Sequence, residues 1–280
     1  MTTAQVLAYP DASALAMAAS HRALLTILDA QCSIDAQCSV DTTGDDARNG
    51  RAPIARHHVD LALTGGSDAL RMMELMSRDP LTDAIDWSLV RVWWADERFV
   101  ASDDPDRNAL QARARLLGRL VDEGRLPESN IHEMPADARP AAQADNADDE
   151  RTSRVLDAAA AAYESELRRE LGDDPRMDLL ILGMGPDGHY ASLFPGHPEI
   201  AVTDRLVVGV DHSPKPPARR LSMTVPLLSR STRTWMLTAG DSKISALSRA
   251  LRHPRDASVP ASFTAGTSQT LWMTTAATVR

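Results

Sequence analysis

Asp187 and His189 stand two residues apart in the run Gly183-Met184-Gly185-Pro186-Asp187-Gly188-His189. An imidazole titrates near neutrality and is the commonest general base, and a neighbouring carboxylate can orient it. Among the eight histidines, only His189 follows a glycine-rich turn that itself follows an apolar run, Met177–Gly183. The glycines also fit G-x-G-x-x-G, with Asp211 about 20 residues on, as in a dinucleotide fingerprint. That fingerprint needs a helix packed behind the glycines. Here the following segment, HYASLFPGHP, is interrupted by Pro195 and Gly196. The run is therefore read as a strained loop that presents Asp187 and His189.

Cations suited to an anionic ligand lie elsewhere in the chain. Of 30 basic residues all are arginine except Lys215 and Lys243. An ammonium is a compact point charge suited to phosphate. Lys215 sits in the stiff segment Pro214-Lys215-Pro216-Pro217, just before Arg219 and Arg220. Lys243 falls in the first turn of an expected helix, where a cation opposes the helix dipole and a bound anion would relieve the conflict. Thr64-Gly65-Gly66-Ser67 joins an expected strand to an expected helix. Its glycines allow close backbone approach, and the helix start offers unpaired N–H groups. An ordinary tight turn with Ser67 as N-cap has the same letters. Asp96-Glu97-Arg98 ends a buried-looking strand, as site groups or as an internal ion pair.

These residues need a frame. Strands are expected at 6–9, 57–63, 88–94, 177–183, 205–210, 221–228, 234–238 and 270–274. Helices are expected near 11–29, 67–78, 106–122, 151–171 and 242–252. Strand and helix alternate, which predicts an α/β fold with a mostly parallel sheet and helices on both faces. In such sheets ligands bind outside the carboxyl ends of the strands. Four turns then converge on one edge: those after 63, 94, 183 and 238. No linker separates two self-sufficient halves, so residues 1–280 are read as one domain. The polar stretch 30–56 reads as a mobile surface insertion, and 136–150 as mobile too.

Composition bounds the function. The 280 residues are 43% apolar and 25% charged, with net charge −9. A chain this acidic is a poor nonspecific nucleic-acid binder. No run approaches the ~18–20 apolar residues of a membrane span, and the N-terminus lacks the features of a signal peptide. Cys32 and Cys38 lie in a tandem copy, DAQCSI then DAQCSV, which is neither a disulfide framework nor a metal motif. A reducing, cytoplasmic setting is expected, with no metal.

Four segments carry a resemblance: LTGGS at 63–67, WWADERFV at 93–100, DLLILGMGPDGHYASLFPGH at 178–197 and PKPPARRLSMT at 214–224. Together with AGDSK at 239–243, in this order, they resemble the 6-phosphogluconolactonases of the glucosamine-6-phosphate deaminase/6-phosphogluconolactonase family. The resemblance implies a Rossmann-like sugar-phosphate isomerase/deaminase-type fold. It implies hydrolysis of 6-phospho-D-glucono-1,5-lactone in the oxidative pentose phosphate pathway, without a cofactor. It implies His189 as the base, with Asp187 orienting it. Gly65, Gly66, Ser67, Arg98, Arg220, Lys243, Lys215 and Asn108 would contact a phosphosugar lactone, chiefly at its phosphate. The partner is this small molecule, not nucleic acid or membrane, and the protein would be a monomer or small homo-oligomer. Deaminases of the family resemble DGH-x-A-F-N-E-P, and the Glu of that pattern is missing here. A noncatalytic sugar-phosphate sensor would be expected to lose the His or to carry a DNA-binding segment. The chain departs from the pattern at Asp68, where many relatives have Thr; an acid is awkward beside a phosphate, so Asp68 is left out of the binding set. Arg107 stands where many have Ser. Tyr190 replaces the commoner Thr and is expected in the pocket wall.

Overall fold

The computed structural model describes residues 3–41, 58–140, 144 and 149–276. Seven strands form a sheet that is parallel throughout, in the order β1-β10-β9-β6-β2-β3-β5. They are β1 (Gln5–Tyr9), β2 (Val59–Leu63), β3 (Val90–Trp94), β5 (Ile131–His132), β6 (Leu179–Gly183), β9 (Arg233–Thr238) and β10 (Gln269–Thr275). Successive side chains on a strand point to opposite faces. Every residue of β2, and Leu179–Leu182 of β6, is nonetheless buried. Both faces of the central sheet are therefore covered, which is why these strands read as continuous apolar runs.

β9, β6, β2 and β3 are consecutive in the sheet, so the four turns expected on one edge are neighbours. The helices Ala12–Asp41 and Ser67–Arg78 pack on each other. Trp93 is fully buried between His132, stacked at 3.9 Å, and Tyr163 of the helix Asp149–Leu171. Burial of such side chains, each worth about 1.5–3 kcal/mol relative to exposure, fixes the strands that hold the site.

A second sheet was not expected. It has three antiparallel strands in the order β4-β8-β7: β4 (Asp96–Arg98), β7 (Val207–Val210) and β8 (Arg220–Met223). Ala95 joins the two sheets. Its N–H donates to the Leu63 carbonyl, and its own carbonyl accepts from Met223 N–H, each at 2.8 Å. The small sheet is thereby docked at the carboxyl edge of the large one. The strand expected over 221–228 stops at Met223. A helical turn, Val225–Leu228, follows, with Pro226 in its first turn, where the missing N–H costs nothing.

The first helix also differs. It runs to Asp41, so residues 30–41, including both cysteines, are helix and not insertion. Ile27 and Gln31 are buried and Ile34 is half-buried, which continues the inward face past residue 29. The Gln31 side-chain amide donates to the Asp86 carbonyl at 2.6 Å. Residues 42–56 lie outside the described residues. Of the stretch 136–150, Asp137 and Arg139 are held, not loose: Arg139 donates to both Asp137 carboxylate oxygens at 2.8 and 2.6 Å. Residues 141–143 and 145–148 lie outside the described residues.

Candidate active site

β6 delivers the chain into the turn that carries His189. The turn closes on itself, Gly188 N–H donating to the Gly185 carbonyl and Gly185 N–H to the His189 carbonyl, both at 3.0 Å. Gly188 has φ +88°, a conformation that glycine adopts without strain. The result sets His189 Nδ1 2.6 Å from Asp187 Oδ1. Lys215 Nζ lies 3.2 Å from both atoms. An ionised carboxylate only accepts, so Lys215 and the Nδ1–H of the imidazole can both donate to Asp187. In the neutral ring, that arrangement makes Nε2 the basic nitrogen. Burial alone would raise the Asp187 carboxyl, but the His189 hydrogen bond and charge, with those of Lys215, outweigh it and hold it well below the usual carboxylate range. The Phe194 ring packs on the imidazole with centroids 4.6 Å apart. Gly185 makes room for the pair: a Cβ there would lie 2.0 Å from His189 Cε1 and 2.6 Å from Asp187 Oδ1.

The imidazole faces a cleft of about 300 Å³. On one wall, Gly66 (φ 96°, ψ 157°) turns the chain into the helix Ser67–Arg78 with no side-chain cap. The first amides of that helix are thus left for a ligand. Gly240 (φ 102°, ψ 145°) makes the same turn after β9, ahead of Lys243. Lys243 Nζ donates to Asp68 Oδ2 at 3.0 Å. The anion expected at Lys243 is therefore already present as a side chain.

The opposite wall comes from the second sheet. Arg98 of β4 and Arg220 of β8 are register partners. Arg220 is 5% exposed, and its guanidinium donates to the carbonyls of Lys215, Pro216 and Pro217 at 3.1–3.2 Å. Burial lowers it from its ordinary value, with Asp96 pulling the other way. Arg98 donates to the Asp106 carbonyl at 2.7 Å, while its buried Nε has no partner among the described residues. Neither guanidinium has a carboxylate within 4 Å among the described residues. Two adjacent guanidinium groups, neither in a direct ion pair with a carboxylate, make an anion clamp.

Buried acids hold this wall in place, and both readings that the sequence left open occur: Asp96 lines the cleft, and Glu97 forms a buried ion pair with Arg107 at 3.8 Å. Asp96 accepts from the Thr64 hydroxyl at 2.7 Å and the Ser192 hydroxyl at 2.8 Å. Glu97 is fully buried and accepts from the backbone N–H of Arg98, Asn108 and Ala109. It caps the helix Asn108–Ala112, which has no cap of its own. Burial pushes its carboxyl up to about 7 against the opposing charge of Arg107 and the three N–H bonds. Asn108 donates from Nδ2 to the Asp96 carbonyl at 2.9 Å and keeps its Oδ1 beside Gly65.

The structure thus brings together Gly65, Gly66, Ser67, Arg98, Asn108, His189, Lys215, Arg220 and Lys243 around one cleft, with Asp187 behind the imidazole. Three polar wall residues stand outside the binding set expected from the sequence: Thr64, Asp96 and Asp68. Asp96 had the signal of a charge at the end of a buried strand. Asp68 was set aside for its charge, yet it lines the cleft. Tyr190 does not. It is fully buried and bridges Met184 and Leu193, because the chain turns sharply at Ala191 (φ 45°). Arg219 also points elsewhere, donating to the Ala144 carbonyl at 2.9 Å. No cluster of three or more His, Cys, Asp or Glu placed to share a metal ion occurs among the described residues.

Residues 46–272 match the family model described as glucosamine-6-phosphate isomerases/6-phosphogluconolactonase. The chain is 35% identical over 276 residues to a 6-phosphogluconolactonase of Streptomyces coelicolor, covering 97% of this chain and 92% of that one. It is 40% identical over 227 residues to that of Mycobacterium tuberculosis, covering 80% and 85%. In fold it is similar to a 6-phosphogluconolactonase from Trypanosoma brucei, with TM-score 0.75, 20% identity and coverage of 99% and 98%. A monomeric glucosamine-6-phosphate deaminase shares the fold at TM-score 0.65 and 20% identity, covering 98% of each chain.

Proposed function

This chain belongs to the glucosamine-6-phosphate isomerase/6-phosphogluconolactonase family and hydrolyses 6-phospho-D-glucono-1,5-lactone to 6-phospho-D-gluconate, and from that premise we propose that His189 is the general base. The observation that carries this reading is the His189–Asp187 bond facing a cleft whose other wall holds two arginines that make no direct ion pair among the described residues.

Water placed between His189 Nε2 and lactone C1 attacks the carbonyl while Nε2 takes its proton. The tetrahedral intermediate collapses, the C1–O5 bond breaks, and the imidazolium returns the proton to O5. The carboxylic acid so formed ionises. Proton transfer of this kind contributes about 10²–10⁴-fold. Asp187, ionised throughout the working range, keeps Nδ1 protonated and stabilises the imidazolium. Arg98, Arg220, Lys243 and the amides after Gly66 hold the phosphate, so that remote binding energy positions C1 against the base.

The cleft takes a small anionic sugar ester. No helix among the described residues is long and apolar enough to cross a membrane. A single domain over 1–280, a cytoplasmic setting, and a monomer or small homo-oligomer complete the proposal. The test is lactone clearance. With lactone generated in situ, the folded protein should remove it faster than it opens spontaneously; clearance at the spontaneous rate would overturn the reading.

A further inference from the structure

Both lysines of the chain stand on the cleft, and each is bonded to an aspartate. Asp187, the partner of Lys215, also orients the base. Asp68, the partner of Lys243, has no part in the reaction derived above. Its Oδ2 accepts from Lys243 Nζ at 3.0 Å and from Ala239 N–H at 3.1 Å. Both side chains are largely buried, at 11% and 17% exposure. The two bonds tie the turn after β2 to the turn after β9. Those strands flank β6, so the pair spans the end of the strand that carries the His189 turn.

A carboxylate in the first turn favours the helix dipole. Helix stability does not, however, require that the acid be bonded to a cation inside an anion cleft. We propose that Asp68 is a positioning residue for Lys243: it fixes the ammonium on the cleft wall and offsets its charge, which keeps the grip on phosphate anions loose. This rests on the reading of the cleft as a phosphate site.

Two effects of Asp68 oppose each other. Its tether pre-organises Lys243, and its charge repels the ligand. The tether saves the rotamer freedom of one side chain. The repulsion acts on every negative charge the ligand brings, from a point only 3.0 Å beyond the ammonium that attracts it. Repulsion wins, and the chemistry gives it a use. Hydrolysis turns an uncharged lactone carbonyl into a carboxylate, so the product carries one negative charge more than the substrate. A cleft of unbalanced cations would hold product more tightly than substrate.

The experiment measures inhibition of lactone hydrolysis by inorganic phosphate and by 6-phosphogluconate at low salt. Asp68→Asn and Asp68→Thr are compared with wild type and Lys243→Ala, each with its unfolding temperature. Both Asp68 variants should tighten both inhibition constants by about three- to ten-fold, as expected for removing one like charge within reach of the ligand. The gain should shrink as salt is raised. A fold defect cannot produce tighter binding. Unchanged or weaker inhibition in both folded variants overturns the proposal, provided that Lys243→Ala weakens phosphate inhibition. If Lys243→Ala leaves phosphate inhibition unchanged, the phosphate-site reading falls and this proposal with it.

Discussion

Gly185→Ala tests how the His189–Asp187 pair is seated. A Cβ at residue 185 would lie 2.0 Å from His189 Cε1, 2.2 Å from Nδ1 and 2.6 Å from Asp187 Oδ1. Non-bonded carbons settle about 3.5–4.0 Å apart, so the ring must retreat by about 1.5 Å. It cannot do so freely. Phe194 packs on its face, Lys215 stands beside Nδ1, and the 2.6 Å bond to Asp187 must break. A misplacement of about 1 Å can cost on the order of 10²-fold in rate. Gly185→Ala should therefore lower kcat about 10²-fold or more. KM should change little, because Arg98, Arg220 and Lys243 lie on other elements. Steady-state kinetics on lactone generated in situ, with unfolding temperature as a folding control, makes the comparison. A folded Gly185→Ala protein with wild-type kcat would refute the reasoning, since the methyl and the working pair cannot share that space.

Three other outcomes follow from the same geometry. Asp187→Asn keeps the shape but removes the charge that favours the imidazolium, so kcat should fall about 10²-fold or more while KM is held; equal kcat would leave Asp187 without a role. Arg98→Ala deletes one charged contact to phosphate, so KM should rise about 10–100-fold with kcat nearly kept; an unchanged KM would remove Arg98 from the clamp. Glu97, with its carboxyl raised from 4.5 to about 7, keeps its proton in the folded state where the unfolded chain has lost it. The folded protein then binds the extra proton, so this group makes stability fall as pH rises from about 4.5 to 7, by about 3 kcal/mol in all. Denaturant unfolding should show that slope in wild type and its loss in Glu97→Gln; identical slopes would contradict it.

The residues show which features sequence reasoning can reach. Met177–Gly183 was legible because a strand buried on both faces must be apolar throughout. The turns at Gly66 and Gly185 were legible because only glycine fits a positive φ at one and the imidazole at the other. The second sheet was hidden. β4 has three residues, and its pairing of Arg98 with Arg220 joins segments more than a hundred positions apart. Nothing local encodes that register. Val225–Leu228 looked like more strand because four apolar residues have no readable period. The helix beyond residue 29 was obscured by the tandem DAQCS copy, whose polar letters outweighed the inward spacing of Ile27, Gln31 and Ile34. The bond of Asp68 to Lys243 was hidden because it joins positions 175 apart, which nothing local encodes.

The most direct test compares wild type, His189→Ala and a no-protein control for clearance of 6-phosphogluconolactone generated in situ. Wild type should clear the lactone well above the spontaneous rate. His189→Ala should lose about 10²–10⁴-fold in kcat while still being inhibited by inorganic phosphate. A folded His189→Ala protein that clears lactone at the wild-type rate would contradict the assignment of His189 as the base.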